Sequence, residues 1–119
     1  MRKKISNSKE LALLMVEAMQ EKKAEHIKLL DLRALDYAVT DYFVVCEAQS
    51  STQVAAIYES IDEIVKKKLG EDPIQIEGQE ESSWILMDYF NAVAHIFKPE
   101  AREFYRLEAL WGEAKLTNY

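Results

Sequence analysis

The segment Ser83–Phe97, S-W-I-L-M-D-Y-F-N-A-V-A-H-I-F, is the longest apolar stretch of this chain. Its aromatic and β-branched residues fit a pleated, half-buried surface better than a helix. The segment predicts two strands, Trp84–Tyr89 and Val93–Phe97, with a reversal at Phe90-Asn91-Ala92. Asn tolerates the left-handed backbone that a tight turn needs, so we expect Asn91 to adopt it. The sequence therefore predicts a buried β-hairpin late in the chain.

Apolar spacing along the rest of the chain predicts three helices and three more strands. Asn7 with Glu10, and Ser50 with Gln53, match capping boxes that begin the first two helices. The predicted elements are a helix from Asn7 to about Glu21, strand Ile27–Leu32, loop Arg33–Thr40, strand Tyr42–Glu47, a helix from Ser50 to Gly70, strand Ile74–Glu77, the hairpin, a helix from Pro99 to Gly112 and a frayed tail, Glu113–Tyr119.

Strands mixed with helices at this spacing indicate an α/β protein. We expect a compact two-layer or three-layer α/β sandwich whose mixed sheet has about five strands. The continuous apolar run Tyr42–Cys46 predicts a central strand covered on both faces. Cys46, the single cysteine, is expected to be a buried and unreactive residue. With 119 residues the chain forms one domain, residues 1–119, with its core at about residues 8–114.

The charge balance points to a protein partner. The formal net charge is −6 and the pI is near 5.0. Nucleic-acid binding depends on Lys and Arg replacing counterions on phosphates, so we expect no direct sequence-specific nucleic-acid binding. An acidic domain suits a basic protein surface instead. No signal peptide and no stretch of membrane-spanning length is apparent, which predicts a cytoplasmic protein without membrane contact.

Catalytic and metal-binding patterns are weak. His26 and His95 have no Cys or His at ligand spacing, and the three glycines form no phosphate-binding loop. Pairing Ser82 or Ser83 with His95 lacks a surrounding motif. Asp36, Asp41 and Asp88 would form a Mg²⁺ site only if they met at adjacent strand ends, and the Gly-Ser turn of such enzymes is missing. We expect no enzyme activity, no metal and no cofactor.

The hairpin is better suited to recognition. Trp84, Met87, Tyr89 and Phe90 carry much large apolar area for one hairpin, and Trp, Tyr and Met are enriched at protein interfaces. The same residues could instead cover the core, and the sequence leaves both roles open. The acidic setting favours the interface.

Several blocks of sequence, taken together and in this order, resemble one family. They are Asp41-Tyr42-Phe43-Val44-Val45-Cys46, Ser50-Ser51, Glu77-Gly78, Trp84-Ile85-Leu86-Met87-Asp88-Tyr89, His95-Ile96-Phe97 and Arg102–Trp111. From about Leu11 to Ala114 the chain resembles the Iojap family of ribosomal silencing factors. The resemblance implies a nucleotidyltransferase-like core without its catalytic residues. It also implies binding to the fourteenth protein of the large ribosomal subunit, which blocks joining of the small subunit and represses translation under nutrient limitation.

The resemblance also implies site residues. The family's hairpin tryptophan, aspartate and histidine correspond to Trp84, Asp88 and His95. The family usually has Gly-Asp in the hairpin turn, where this chain has Phe90-Asn91. The expected partner-binding residues are Asp41, Tyr42, Trp84, Leu86, Met87, Asp88, Tyr89, Phe90 and His95, and the expected family-motif residues are Arg102, Tyr105, Leu107, Glu108, Leu110 and Trp111.

Two alternatives stay open at this point. A Mg²⁺-dependent nucleotidyltransferase-like enzyme would need the carboxylates of Asp36, Asp41 or Asp88. A self-associating scaffold would close a homodimer through the apolar hairpin. A homodimer of the free protein is also compatible with the silencing function, if the partner later occupies the same surface.

Overall fold

The computed structural model of the chain describes residues 7–101 and 114–119. The fold is α/β, as predicted, with an open mixed sheet of six strands and three helices. Residues 99–101 begin the third helix after Lys98, as the position of Pro99 predicted. The predicted apolar side of that helix falls at residues 102–113, outside the described residues. The other elements are α1 Ser8–Glu21, β1 Glu25–Asp31, β2 Tyr42–Glu47, α2 Ser51–Leu69, β3 Gln75–Glu77, β4 Trp84–Asp88, β5 Ala92–Phe97 and β6 Lys115–Asn118.

Strand order in the sheet is β3-β4-β5-β2-β1-β6. The central pair, β2 and β5, is parallel, and the other four pairings are antiparallel. Every residue of β5 is buried, and so are the first five residues of β2. These burial patterns confirm the prediction of a central strand at Tyr42–Glu47, and Cys46 within it is fully buried.

Local signals define the start of α1 and both ends of α2. The Asn7 side chain accepts hydrogen bonds from the backbone N–H groups of Lys9, at 2.7 Å, and Glu10, at 3.3 Å. Ser50 accepts one from the N–H of Gln53 at 3.1 Å, which satisfies a donor that the first turn of α2 leaves free. Gly70 ends α2 in the left-handed conformation, with φ of 68°, and donates to the carbonyl of Lys66.

Each face of the sheet carries a cluster of buried apolar side chains. The helical face packs beneath α1 and α2 and holds residues such as Val44, Met87 and Ile96. The second face holds a smaller cluster that includes Phe43 and Val45 of β2 and Val93 and Phe97 of β5. Leu35, Ala38, Ala101 and Ala114 pack at the border of this smaller cluster.

The C-terminal residues correct one expectation. Instead of a frayed tail, Lys115–Asn118 forms β6, which pairs antiparallel with Lys28–Asp31 of β1. All four residues of β6 are exposed, so no apolar alternation marks them in the sequence. The strand forms because β1 offers a free edge to which it adds backbone hydrogen bonds, and the sheet has six strands instead of about five.

The hairpin turn corrects a second expectation. The reversal lies where the sequence predicted it, but Phe90 adopts the left-handed backbone, with φ of 74°, and Asn91 does not. The Asp88 carboxylate accepts the N–H of Phe90 at 2.7 Å, and the N–H of Asn91 donates to the carbonyl of Tyr89 at 2.8 Å. These two hydrogen bonds place the strained backbone one residue earlier than the preference of Asn alone suggests.

Candidate partner-binding surface

Strand β4 separates its side chains between the two faces of the sheet. Ile85 and Met87 are fully buried on the helical face. Trp84, Leu86 and Asp88 alternate with them on the second face, and each is only half-buried. The three side chains therefore form a row, which we call the Trp84 row, that borders solvent beside the edge strand β3.

Trp84 is held by an aromatic stack. Its ring lies parallel to that of Phe97, with centroids 5.1 Å apart, and to that of His95 at 6.0 Å. The indole Nε1–H donates a hydrogen bond to Nδ1 of His95 at 3.2 Å. The rings of Phe43 and His95 meet edge-to-face, with centroids 4.8 Å apart. The orientation of Trp84 is thus fixed by strands β5 and β2 beneath it.

Burial keeps His95 neutral. The residue is 3% exposed, and loss of hydration lowers the pKa of its imidazole to about 3. Nδ1 accepts a hydrogen bond from Trp84, so the hydrogen of the neutral ring resides on Nε2. Nε2 has no hydrogen-bond partner in the part of the chain that the structure describes. His95 therefore positions Trp84 and does not itself reach solvent.

Three other expected partner-binding residues lie in the core. Met87, Tyr89 and Tyr42 are 0%, 5% and 1% exposed, and all three pack on the helical face. Burial is the main cause that raises the pKa of both tyrosine hydroxyls. These side chains stabilise the hairpin from below, which leaves Trp84, Leu86, Asp88 and Phe90 at the surface.

The turn end of the hairpin is tied to its neighbours. Thr40 donates its hydroxyl to the carbonyl of Phe90 at 2.8 Å, and the N–H of Asp41 donates to the carbonyl of Asn91 at 3.2 Å. Asp41 is half-buried at this end of the sheet, next to the turn. Phe90 is 61% exposed. The expected residues Asp41, Asp88 and Phe90 therefore lie on connected segments.

The carboxylates that a Mg²⁺ site would need are not grouped in the described part of the chain. Among residues 7–101 and 114–119, no three His, Cys, Asp or Glu side chains are grouped to hold a metal ion. Asp88 already accepts a backbone hydrogen bond, and Asp36 lies exposed in the loop between β1 and β2. Within the same described ranges, no helix is long and apolar enough to cross a membrane.

Two exposed apolar residues were missed in the sequence. Val39 is 85% exposed and Ile74 is 68% exposed, both beside the hairpin turn. Neither segment carries a pattern that marks its residue as exposed, and only the folded chain reveals that both segments hydrogen-bond to the same turn. The family-motif residues expected at 102–111 lie outside the described residues.

Comparison with protein families identifies the wider group. Residues 5–118 match the family model described as "Ribosomal silencing factor during starvation". The chain is 36% identical over 115 residues to a ribosomal silencing factor of Bacillus subtilis, with 94% of this chain and 93% of that protein covered. It is 34% identical over 103 residues to the chloroplastic protein Iojap of Zea mays, with 87% of this chain and 44% of the maize protein covered.

Solved structures agree with the sequence matches. A crystal structure of a protein from Chromobacterium violaceum superimposes with a TM-score of 0.84 at 32% identity and covers 90% of this chain and 88% of that protein. The family match spans the elements from α1 to β6, including the hairpin that carries the Trp84 row. The chain therefore belongs to the ribosomal silencing factor family.

Proposed function

We propose that this protein binds the large ribosomal subunit through its fourteenth protein and thereby blocks joining of the small subunit. Membership of the ribosomal silencing factor family supports the ribosome as the target. The observation that carries the proposal further is the half-buried row of Trp84, Leu86 and Asp88 on the hairpin. An aromatic side chain whose orientation is fixed by its neighbours is the kind of residue that anchors a protein partner.

The surroundings of this row are acidic. Glu77 of β3 pairs with Leu86, and Glu80 and Glu81 lie in the exposed loop that leads into Trp84. A protein surface rich in Lys and Arg would be steered to such a site, and its aliphatic stems could cover the indole. Ribosomal proteins meet this chemical requirement, because they are held on RNA by basic residues.

The proposed mechanism is steric. A bound domain of this size covers part of the face that the small subunit must approach, and no covalent bond is made or broken. We expect this action in the cytoplasm, where bacterial ribosomes work. The outcome is a lower rate of translation when nutrients are scarce.

Co-sedimentation with isolated ribosomal subunits, at two salt concentrations, tests the proposal. The protein should move with the large subunit alone, and mixing the subunits in its presence should yield fewer whole ribosomes. Stronger binding at the lower salt concentration would fit charge steering. Recovery of all the protein at the top of the gradient in both buffers would refute the proposal.

Variants of the row locate the contact. Trp84→Ala should weaken binding by about 30- to 1000-fold, the usual effect of losing a central aromatic anchor. Leu86→Thr is a milder second variant, because a β-branched residue keeps the strand propensity of β4. Leu13→Gln, at an exposed position of α1, is the matched control and should bind as the unaltered protein does. Unchanged binding by folded Trp84→Ala and Leu86→Thr would move the contact elsewhere.

A homodimer of the free protein remains a separate proposal. If the same row also closes a dimer, added large subunits should convert the dimer to a bound monomer. Light scattering of the purified protein, with and without its ribosomal partner, distinguishes the two cases. A monomer at all concentrations tested would exclude the dimer and leave the silencing proposal intact.

A further inference from the structure

Three exposed apolar side chains lie at one end of the sheet, which we call the sheet tip: Val39, Ile74 and Phe90. They are 85%, 68% and 61% exposed. Backbone groups of the turn join their segments, because the carbonyl of Phe90 accepts from Thr40, and the carbonyl of Asp88 accepts from the N–H of Ile74 at 2.8 Å. The sheet tip is therefore a defined part of the fold, formed by three separate segments.

Phe90 is the unusual member of the sheet tip. Its φ of 74° is a left-handed conformation that glycine adopts freely and an aromatic residue rarely does. The hydrogen bond from the N–H of Asn91 to the carbonyl of Tyr89, at 2.8 Å, closes a three-residue turn centred on Phe90, and this kind of turn is strained. The side chain is also mostly exposed, so it adds little to the core. The fold thus holds a large apolar group in solvent at an energetic cost.

The charge around the sheet tip is negative. Asp88 caps the turn, Asp41 follows Thr40, and Glu71 and Asp72 precede Ile74. Burial is the main cause of the raised pKa of the Tyr89 hydroxyl, and the charges of Asp62, Asp72 and Glu71 raise it further. Lys66 forms an ion pair with Asp72 at 3.0 Å and so offsets one of these negative charges.

We propose that the sheet tip is a second docking surface, on which Phe90, Val39 and Ile74 contact an aliphatic patch between basic residues of the same ribosomal partner. This inference rests on the proposed function and extends its contact from the Trp84 row to the end of the sheet. Strain at a turn is retained where the presented side chain has a use, and an exposed aromatic is the residue type that contributes most to protein interfaces.

Charge selects the occupant of the sheet tip. A second copy of this chain would bring the same carboxylates against those of Asp41 and Asp88 in a twofold contact, which like charges oppose. An RNA backbone or an anionic lipid surface would be repelled for the same reason. A basic polypeptide surface satisfies both the apolar side chains and the carboxylates.

The decisive variant is Phe90→Gly, measured for stability and for binding. Glycine relieves the left-handed strain, so the melting temperature should stay equal or rise, while the affinity for isolated large subunits and for the purified fourteenth protein should fall about tenfold or more. Val39→Ser should weaken binding in the same direction without a change in fold, because Val39 is almost fully exposed. Leu13→Gln is again the matched control, with an exposed leucine of α1 replaced.

The outcomes separate the two proposals. If the unaltered protein binds large subunits but Phe90→Gly and Val39→Ser bind equally well, the docking role of the sheet tip is wrong and the Trp84 row still carries the function. Equal weakening by Leu13→Gln would show a nonspecific effect and also overturn the sheet tip. If the unaltered protein does not bind large subunits or the purified protein, both proposals fail.

Discussion

The indole of Trp84 donates a hydrogen bond to Nδ1 of His95 across 3.2 Å, from strand β4 to its neighbour β5. This bond links the half-buried surface to the buried core, because Trp84 borders solvent and His95 does not. It also requires a neutral imidazole, since a protonated ring would have a hydrogen on both nitrogens and could not accept from Trp84. The surface row therefore depends on the protonation state of a core residue.

Acid should destabilise the fold through His95. An unfolded histidine has a pKa near 6.5, whereas burial lowers the pKa of folded His95 to about 3. As the pH falls below about 6.5 the unfolded chain binds a proton first, so the stability present above that pH is lost between about 6.5 and 3. We expect the free energy of unfolding to drop by about 2 kcal/mol between pH 7 and pH 5 from this group.

Urea unfolding at a series of pH values measures this loss. His95→Asn keeps an acceptor near the position of Nδ1 and removes the titrating ring, so the steep part of the pH dependence should disappear even if the variant is less stable overall. His26→Asn, at an exposed position with φ of 52° that Asn tolerates, is the matched control and should retain it. An unchanged slope in His95→Asn would show that other groups cause the acid sensitivity.

Trp84→Phe isolates the hydrogen bond from the stack. The ring of phenylalanine can still lie against Phe97, but the donor to His95 is gone and Nδ1 is left buried without it. We expect a loss of about 1–2 kcal/mol in the free energy of unfolding, the usual cost of an unsatisfied buried acceptor. Chemical denaturation of Trp84→Phe, His95→Leu and the double variant Trp84→Phe/His95→Leu tests the cause. The double variant should lose less stability than the sum of the two single losses, because either single substitution already removes the hydrogen bond.

If the double variant loses the plain sum of the two single losses, the hydrogen bond does not couple the residues. That result would leave Trp84 held by ring packing alone. Near-ultraviolet circular dichroism of the indole gives a second measure of how firmly Trp84 is oriented in the unaltered protein and in His95→Leu.

Gly78 should not tolerate a side chain. Its φ is 88°, and a Cβ atom built there would lie 2.0 Å from the backbone carbonyl oxygen of Trp84. Gly78→Ala must therefore move either the loop or β4, and we expect a loss on the order of 2–3 kcal/mol in the free energy of unfolding. Thermal unfolding measures it, and Gly70→Ala at the end of α2 is the comparison.

Gly70 also has a positive φ, of 68°, as the left-handed residue that ends α2. Gly70→Ala should cost only about 1 kcal/mol, the price of the left-handed conformation. Equal losses at the two positions would mean that the close approach to Trp84 relaxes without cost.

Local patterns explain which parts of the fold were predictable. The caps of α1 and α2 depend on side chains within three residues of the bonds they make, and the central strand on one continuous apolar run. Such signals are readable because both partners lie in the same short segment. The hairpin is predictable for the same reason, because its two apolar runs and the reversal between them lie in one short segment.

Long-range contacts explain what was missed. The strand Lys115–Asn118 has no pattern of its own, and pairing with β1, more than 80 residues earlier, makes it a strand. The alternation of β4 predicts that Trp84, Leu86 and Asp88 share a face, but not that the helices cover the opposite one. Phe90 takes the left-handed backbone in a turn that Thr40 holds from 50 residues away. The surface positions of the site depend on these contacts between distant parts of the chain.

Asp88 offers a test of charge steering at constant fold. Its Oδ1 accepts the N–H of Phe90 at 2.7 Å, and the amide oxygen of Asn can accept the same bond. Asp88→Asn should therefore cost about 1 kcal/mol or less in stability while it removes one negative charge at the end of the Trp84 row next to the sheet tip. We expect the affinity for large subunits to fall about three- to tenfold at low salt, mainly through slower association, with a smaller difference at high salt.

Glu17→Gln is the matched control for Asp88→Asn, because it makes the same charge change at an exposed position of α1. Association rates at several salt concentrations, measured by surface capture of the subunits, compare the two variants. If only Asp88→Asn slows association, the carboxylate acts by its position at the proposed contact. If both variants slow it equally, net charge alone attracts the partner, and the acidic hairpin has no special part in orienting it.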